Sequence, residues 1–107
     1  MRKLESLLFF YELYLESLDE DNVLQWSMIL DVRTEIEKQL RRVRSVPASV
    51  RKTLFRLDKK LRKKLIKARS EVNFERLRNM QFPRPSSGFW WYYPEVDSLS
   101  RAQLQSA

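Results

Sequence analysis

Lys52, Arg56, Lys59, Lys63 and Lys67 recur at intervals of 4, 3, 4 and 4 residues, the spacing that stacks side chains on one face of an α-helix. Over about 22 Å of helix, at 1.5 Å per residue, they set five positive charges in a row. The chemistry open to such a row is electrostatic: it neutralises phosphates and displaces their counterions, and it makes or breaks no covalent bond. Arg51, Lys60, Arg62, Lys64 and Arg69 bring the run to ten cations between residues 51 and 69, against one acid, Asp58, and Arg41, Arg42 and Arg44 extend the charge upstream. Pairing within the chain can engage only part of them. Like charges at i,i+4 cost an isolated helix a few tenths of a kcal/mol per pair, a local penalty that an external polyanion relieves.

The second cluster is aromatic: Phe89, Trp90, Trp91, Tyr92 and Tyr93, closed by Pro94. Adjacent rings serve as cover for a core, as anchors in a partner, or as platforms for unpaired bases. Five in a row cannot all point one way, so a split between core and contact is expected, with the pentet joined by Phe9 and Leu13 as the candidate partner interface. Glu12/Glu16 and Asp31/Glu35 are carboxylate pairs at i,i+4 that could face each other around a divalent cation. Both pairs fall on polar faces, where solvation is the simpler account. There is no His and no Cys, and no Gly-rich phosphate loop or nucleophile beside a base. The sequence therefore predicts a protein without catalytic residues, metal or cofactor.

The elements that carry these residues are helical. One Gly and four Pro, all outside the periodic stretches, leave little to interrupt helices. A first helix is predicted over 2–18, with Leu4, Leu7, Leu8, Tyr11, Tyr14, Leu15 and Leu18 as its stripe and Phe9 and Leu13 left outside it. Asp19 to Asn22 offer caps for a second helix over 22–44, although without Gly or Pro one continuous bent helix is the alternative. Trp26, Ile29, Val32, Ile36, Leu40 and Val43 form its apolar face. Ser45-Val46-Pro47 opens a third helix over 47–78, because the residue before Pro avoids the α region and Pro suits a first turn. An 11-residue repeat runs along it: Val50, Leu61 and Val72; Leu54 and Leu65; Leu57 and Ala68; Phe55, Ile66 and Leu77. At 3.67 residues per turn that period keeps an apolar seam almost straight. Residues 81–107 form a Pro, Ser and aromatic tail, with a short terminal helix capped by Asp97 or Ser98 as a possibility. The predicted fold is all-α, an antiparallel three-helix bundle over 1–80 with a long basic third helix and an extended aromatic tail.

Charge is polarised along the chain. The net charge is +7, yet residues 1–21 carry 2 basic and 6 acidic side chains while residues 41–80 carry 15 and 3. Such polarity is an argument about partners, not about fold. No run approaches the roughly 18 apolar residues needed to cross a bilayer. The start faintly resembles a signal peptide, but Glu5 and Glu12 interrupt it, and it reads as a structural helix. The lack of Cys suits a reducing compartment, and a cytoplasmic location is expected.

With Arg41-Arg42-Val43-Arg44 leading into the Arg51 to Arg69 face, this short, basic, helical chain resembles the small helical subunits of CRISPR interference complexes, which line a groove carrying nucleic acid. The resemblance covers residues 1–80 and rests on size, charge and helicity. The function expected is a non-enzymatic nucleic-acid-binding subunit of a larger assembly. It would contact the DNA or RNA backbone through Arg41, Arg42, Arg44 and the ten cations of the third helix, with protein subunits or a second copy on the apolar residues. The alternative is a protein-interaction adaptor, or a binder of an anionic membrane surface, with no nucleic-acid role.

Overall fold

The computed structural model describes residues 2–95, apart from the side chain of Arg2, and every regular element among them is helical. Four α-helices follow in order: α1 (Arg2–Glu16), α2 (Val23–Arg42), α3 (Ala48–Ala68) and α4 (Phe74–Asn79), with a 3-10 turn at Trp90–Tyr92. The chain divides into two compact units, one ending at Lys60 and the other beginning at Leu61, so α3 passes from the first into the second. The terminal helix considered beyond Asp97 lies outside the described residues.

In the first unit α1 and α2 pack directly against each other. α1 buries Leu4, Leu8, Tyr11 and Leu15, a 4-3-4 spacing that keeps one face inward. The two helices are separate, not one bent helix. Ser17 donates its hydroxyl back to Leu13 O at 2.9 Å, and Asn22, with extended backbone, accepts the Leu24 and Gln25 N–H groups at 3.0 and 3.2 Å. Those bonds satisfy donors that a new helix leaves without partners, the role for which Asn is favoured at an N-cap. The Trp26 indole N–H donates to Glu20 O at 2.9 Å, tying the turn to the buried face of α2.

That face holds Trp26, Ile29, Leu30 and Ile36, and also Arg33. Arg33 meets Asp58 of α3 in a two-pronged pair, Nε to Oδ1 at 2.8 Å and Nη2 to Oδ2 at 3.0 Å. Tyr11 of α1 donates its hydroxyl to the same Oδ1 at 2.7 Å. Burial by itself pulls the Arg33 pKa down, but the charge of Asp58 and the hydrogen bonds to Asp58 and Glu37 outweigh it and leave the guanidinium above its ordinary value. One buried network thus links all three helices within this unit.

The second unit departs from the predicted single helix over 47–78. α3 stops at Ala68, where Ala68 O accepts from both Glu71 N and Val72 N, at 2.9 and 2.8 Å. After a turn, Asn73 caps α4 by accepting the Arg76 N–H at 3.0 Å. The break needs neither Gly nor Pro, because the Asn73 carboxamide offers the backbone a better start than continuation. The aromatic residues then return to α4: Trp91 and Tyr92 are buried, as are Phe74 and Leu77, and α4 packs on the 3-10 turn. The tail is therefore part of a small core and not extended throughout.

Candidate nucleic-acid interface

The cations predicted as one surface separate into two sets. Arg42, Arg44, Arg51, Lys52, Lys59, Lys60, Lys63 and Lys67 are exposed, and among the described residues none of these eight forms an ion pair. Six of the eight ride on α3, away from its buried Val50, Leu57, Leu61, Leu65 and Ala68. The helical period separates the two faces, since residues three or four apart share a side.

The other set is engaged by groups of the protein itself, Arg41 and Arg56 in ion pairs at the surface. Arg41 pairs with Glu37 at 3.3 Å, and Arg56 with Glu12 of α1 at 2.9 Å, so α1 takes one cation out of the predicted row. Arg62 is half-buried with its guanidinium 4.4 Å from the centre of the Trp90 ring, and its Nε is buried without a hydrogen-bond partner. A cation over an indole face is attracted by the ring quadrupole, which commits Arg62 to the aromatic segment. Lys64 and Arg69 are half-buried and also engaged.

The aromatic residues separate in the same way. Trp91 and Tyr92 are about as buried as Leu77 and offer no surface to a partner, which corrects their assignment to an interface. Phe89 stacks on Trp91 with ring centres 5.0 Å apart, and Trp90 meets Trp91 edge to face at 5.4 Å. Tyr93 lies 4.7 Å from the Arg78 guanidinium and donates its hydroxyl to Pro85 O. Phe89, Trp90 and Tyr93 are half-buried.

Arg78 holds this arrangement. It is 5% exposed and donates to Tyr92 O at 2.7 Å as well as to Glu75 and Glu95. Burial opposes its charge, and the hydrogen bonds to the two carboxylates reverse the effect, raising its pKa. Hydrogen bonds from Arg84 and then Arg78 hold the exposed Glu75 carboxyl down at about 2. The charges of this cluster pair with one another, Arg78 with Glu75 and Glu95 and Arg84 with Glu75. Neither Asp58 nor Arg78 was legible as a buried charge from composition, but position marks Asp58. It lies three or four residues from Leu54 and Leu61, on the seam, as Arg33 lies between Ile29 and Ile36.

Phe9 (64% exposed) and Leu13 (45%) stand out from α1 as predicted, joined by Phe10, and Leu24 and Met28 are exposed on α2. Phe55 on α3 is 63% exposed, whereas Ile66, grouped with it by the repeat, is half-buried. A cavity of about 200 Å³ in the first unit is lined by Tyr14, Ser17, Gln25, Met28 and Ile29, a lining without an acid or base. Tyr11 and Asp58 are a hydroxyl and carboxylate of a kind used in proton transfer, but Tyr11 is fully buried, beyond the reach of substrate. Among the described residues no group of three or more acidic side chains converges as metal ligands would, and no helix is long and apolar enough to cross a membrane. No known family, curated protein or solved structure matches the chain.

Proposed function

We propose that this protein is a non-enzymatic, cytoplasmic nucleic-acid-binding subunit of a larger assembly, its first three helices forming an antiparallel bundle and α3 lying along the phosphate backbone of DNA or RNA. The observation that carries the reading is the row Arg51, Lys52, Lys59, Lys60, Lys63 and Lys67, exposed and without ion pairs among the described residues. A face kept only for solubility mixes both signs, whereas the exposed charged side chains that α3 itself presents here are cations, Asp58 having turned inward and Glu12 of α1 being paired with Arg56. Membership of an assembly is supported by the exposed Phe9 and Leu13, and by the resemblance to small helical subunits of CRISPR interference complexes.

The test is to replace Lys59, Lys63 and Lys67 together with Gln and measure binding across a salt series. Affinity for DNA or RNA of any sequence should fall by a similar factor, because backbone contacts carry no base information. The slope of log K against log salt should drop by about one unit for each phosphate no longer neutralised. The helix content should persist, since the three side chains lie off the buried seam. A folded wild-type protein with no affinity for any nucleic acid at low salt overturns the reading. The rival is an adaptor that presents the same cations to an acidic protein or lipid surface, and the apolar residues of α1 and α2 favour it. In that case the Gln variant loses capture by anionic vesicles or an acidic protein, with no nucleic-acid binding to lose.

A further inference from the structure

We infer that the ligand of this face is single-stranded, with Phe55 the platform on which an unpaired base stacks; the inference rests on the proposed phosphate-binding role of α3. Phe55 is 63% exposed on a helix that buries its other large apolar residues at least in part. It stands four residues after Arg51, three after Lys52 and four before Lys59. Neighbours at those intervals lie about 5–6 Å apart between Cβ atoms. The ring is therefore flanked along the helix by three exposed cations, all in the first unit and without ion pairs among the described residues. Phe55 also stacks on no other ring there.

An apolar ring held in water among cations brings nothing to a duplex backbone, whose base faces are already stacked inside the helix. A single strand differs: its phosphates meet the cations while an exposed base covers the ring, a combination that tolerates any sequence because every base has a π-face. Cations and an aromatic ring interleaved on one helix face match that chemistry. Phosphate and base are then held by different side chains, so each contact can be removed without the other.

The experiment measures anisotropy of labelled oligothymidylate and of its duplex with oligoadenylate, for the wild-type chain and for Phe55→Ala and Phe55→Tyr. The single strand should bind the wild type more tightly than the duplex. Phe55→Ala should weaken single-strand binding about tenfold and leave duplex affinity and the salt slope unchanged, since every phosphate-facing cation is still present. Phe55→Tyr should retain wild-type affinity. Equal or tighter binding of the duplex by the wild type, or a folded Phe55→Ala variant with undiminished single-strand affinity, overturns the stacking role while leaving the phosphate-binding reading intact. Absence of binding to either oligonucleotide overturns both. Should circular dichroism show Phe55→Ala unfolded, the wild-type preference between single strand and duplex decides alone.

Discussion

Asp58 shows how one side chain changes the meaning of its neighbours. By count it is a lone acid among ten cations; in space it is a buried acceptor for Arg33 and Tyr11. Desolvating two charges is costly and the pair offsets it only with good geometry, so breaking the pair exposes the cost. Asp58→Leu and Arg33→Met, each removing one side of the buried pair, should destabilise by about 3–5 kcal/mol in urea unfolding. The double variant Arg33→Met/Asp58→Leu should cost much less than the two together, because no orphaned charge remains. Additive losses in that cycle would show that the two residues act independently. Tyr11→Phe removes one charge-assisted bond and should cost about 1.5 kcal/mol or somewhat more. With small domains stable by about 5–15 kcal/mol, the single variants approach the limit of folding.

Among the helices, ends are decided by competition for backbone hydrogen bonds. The 11-residue repeat carries on past Ala68 through Val72 and Leu77, yet α3 stops because the Asn73 side chain captures the Arg76 N–H and begins α4. The break then lets Phe74 and Leu77 share a core with Trp91 and Tyr92 in the second unit. Asn73→Ala should cost about 1 kcal/mol, the usual contribution of an N-cap. Hydrogen exchange should accelerate at Arg76 and Leu77 while the amides of α2 keep their protection. Unchanged exchange in α4 would mean that burial of Phe74 and Leu77, and not the cap, holds this helix.

Across the molecule, exposed apolar side chains gather mainly on α1 and α2 and exposed cations mainly on α3, where Phe55 stands among them. Residues 41–80 carry 15 basic and 3 acidic side chains, an excess of 12 that the rest of the chain reduces to the net charge of +7, while Phe9, Phe10 and Leu13 stand out from α1, with Phe9 and Phe10 in edge contact at 5.7 Å. Exposed apolar side chains that cluster on one helix invite association. The isolated protein should sediment above its monomer mass at micromolar concentration, and Phe9→Glu/Leu13→Glu should return it to the monomer with helix content unchanged. A wild-type chain that sediments as a monodisperse monomer rules out self-association through α1.

The helical class, the turns at Asn22 and Pro47, and the strip of cations along residues 51–69 were all legible in the order of the amino acids. These are local properties: a helical period decides which residues share a face, and a cap or proline decides where a face begins. The Asn73 cap was equally local, a polar residue with Glu75 in the first turn after it, but the repeat running through it hid the signal. Which charges meet depends instead on tertiary packing. Asp58 and Arg33 are 25 residues apart and Tyr11 and Asp58 are 47 apart; each is visible as a polar intrusion on an apolar face, yet nothing in one helix says which partner lies across from it. The same holds for Arg56 on Glu12 and Arg62 on Trp90, which left the cationic face, and for Trp91 and Tyr92, which left the exposed tail. Periodicity places a side chain on a side of its own helix, whereas burial and pairing depend on what the rest of the chain brings against that side.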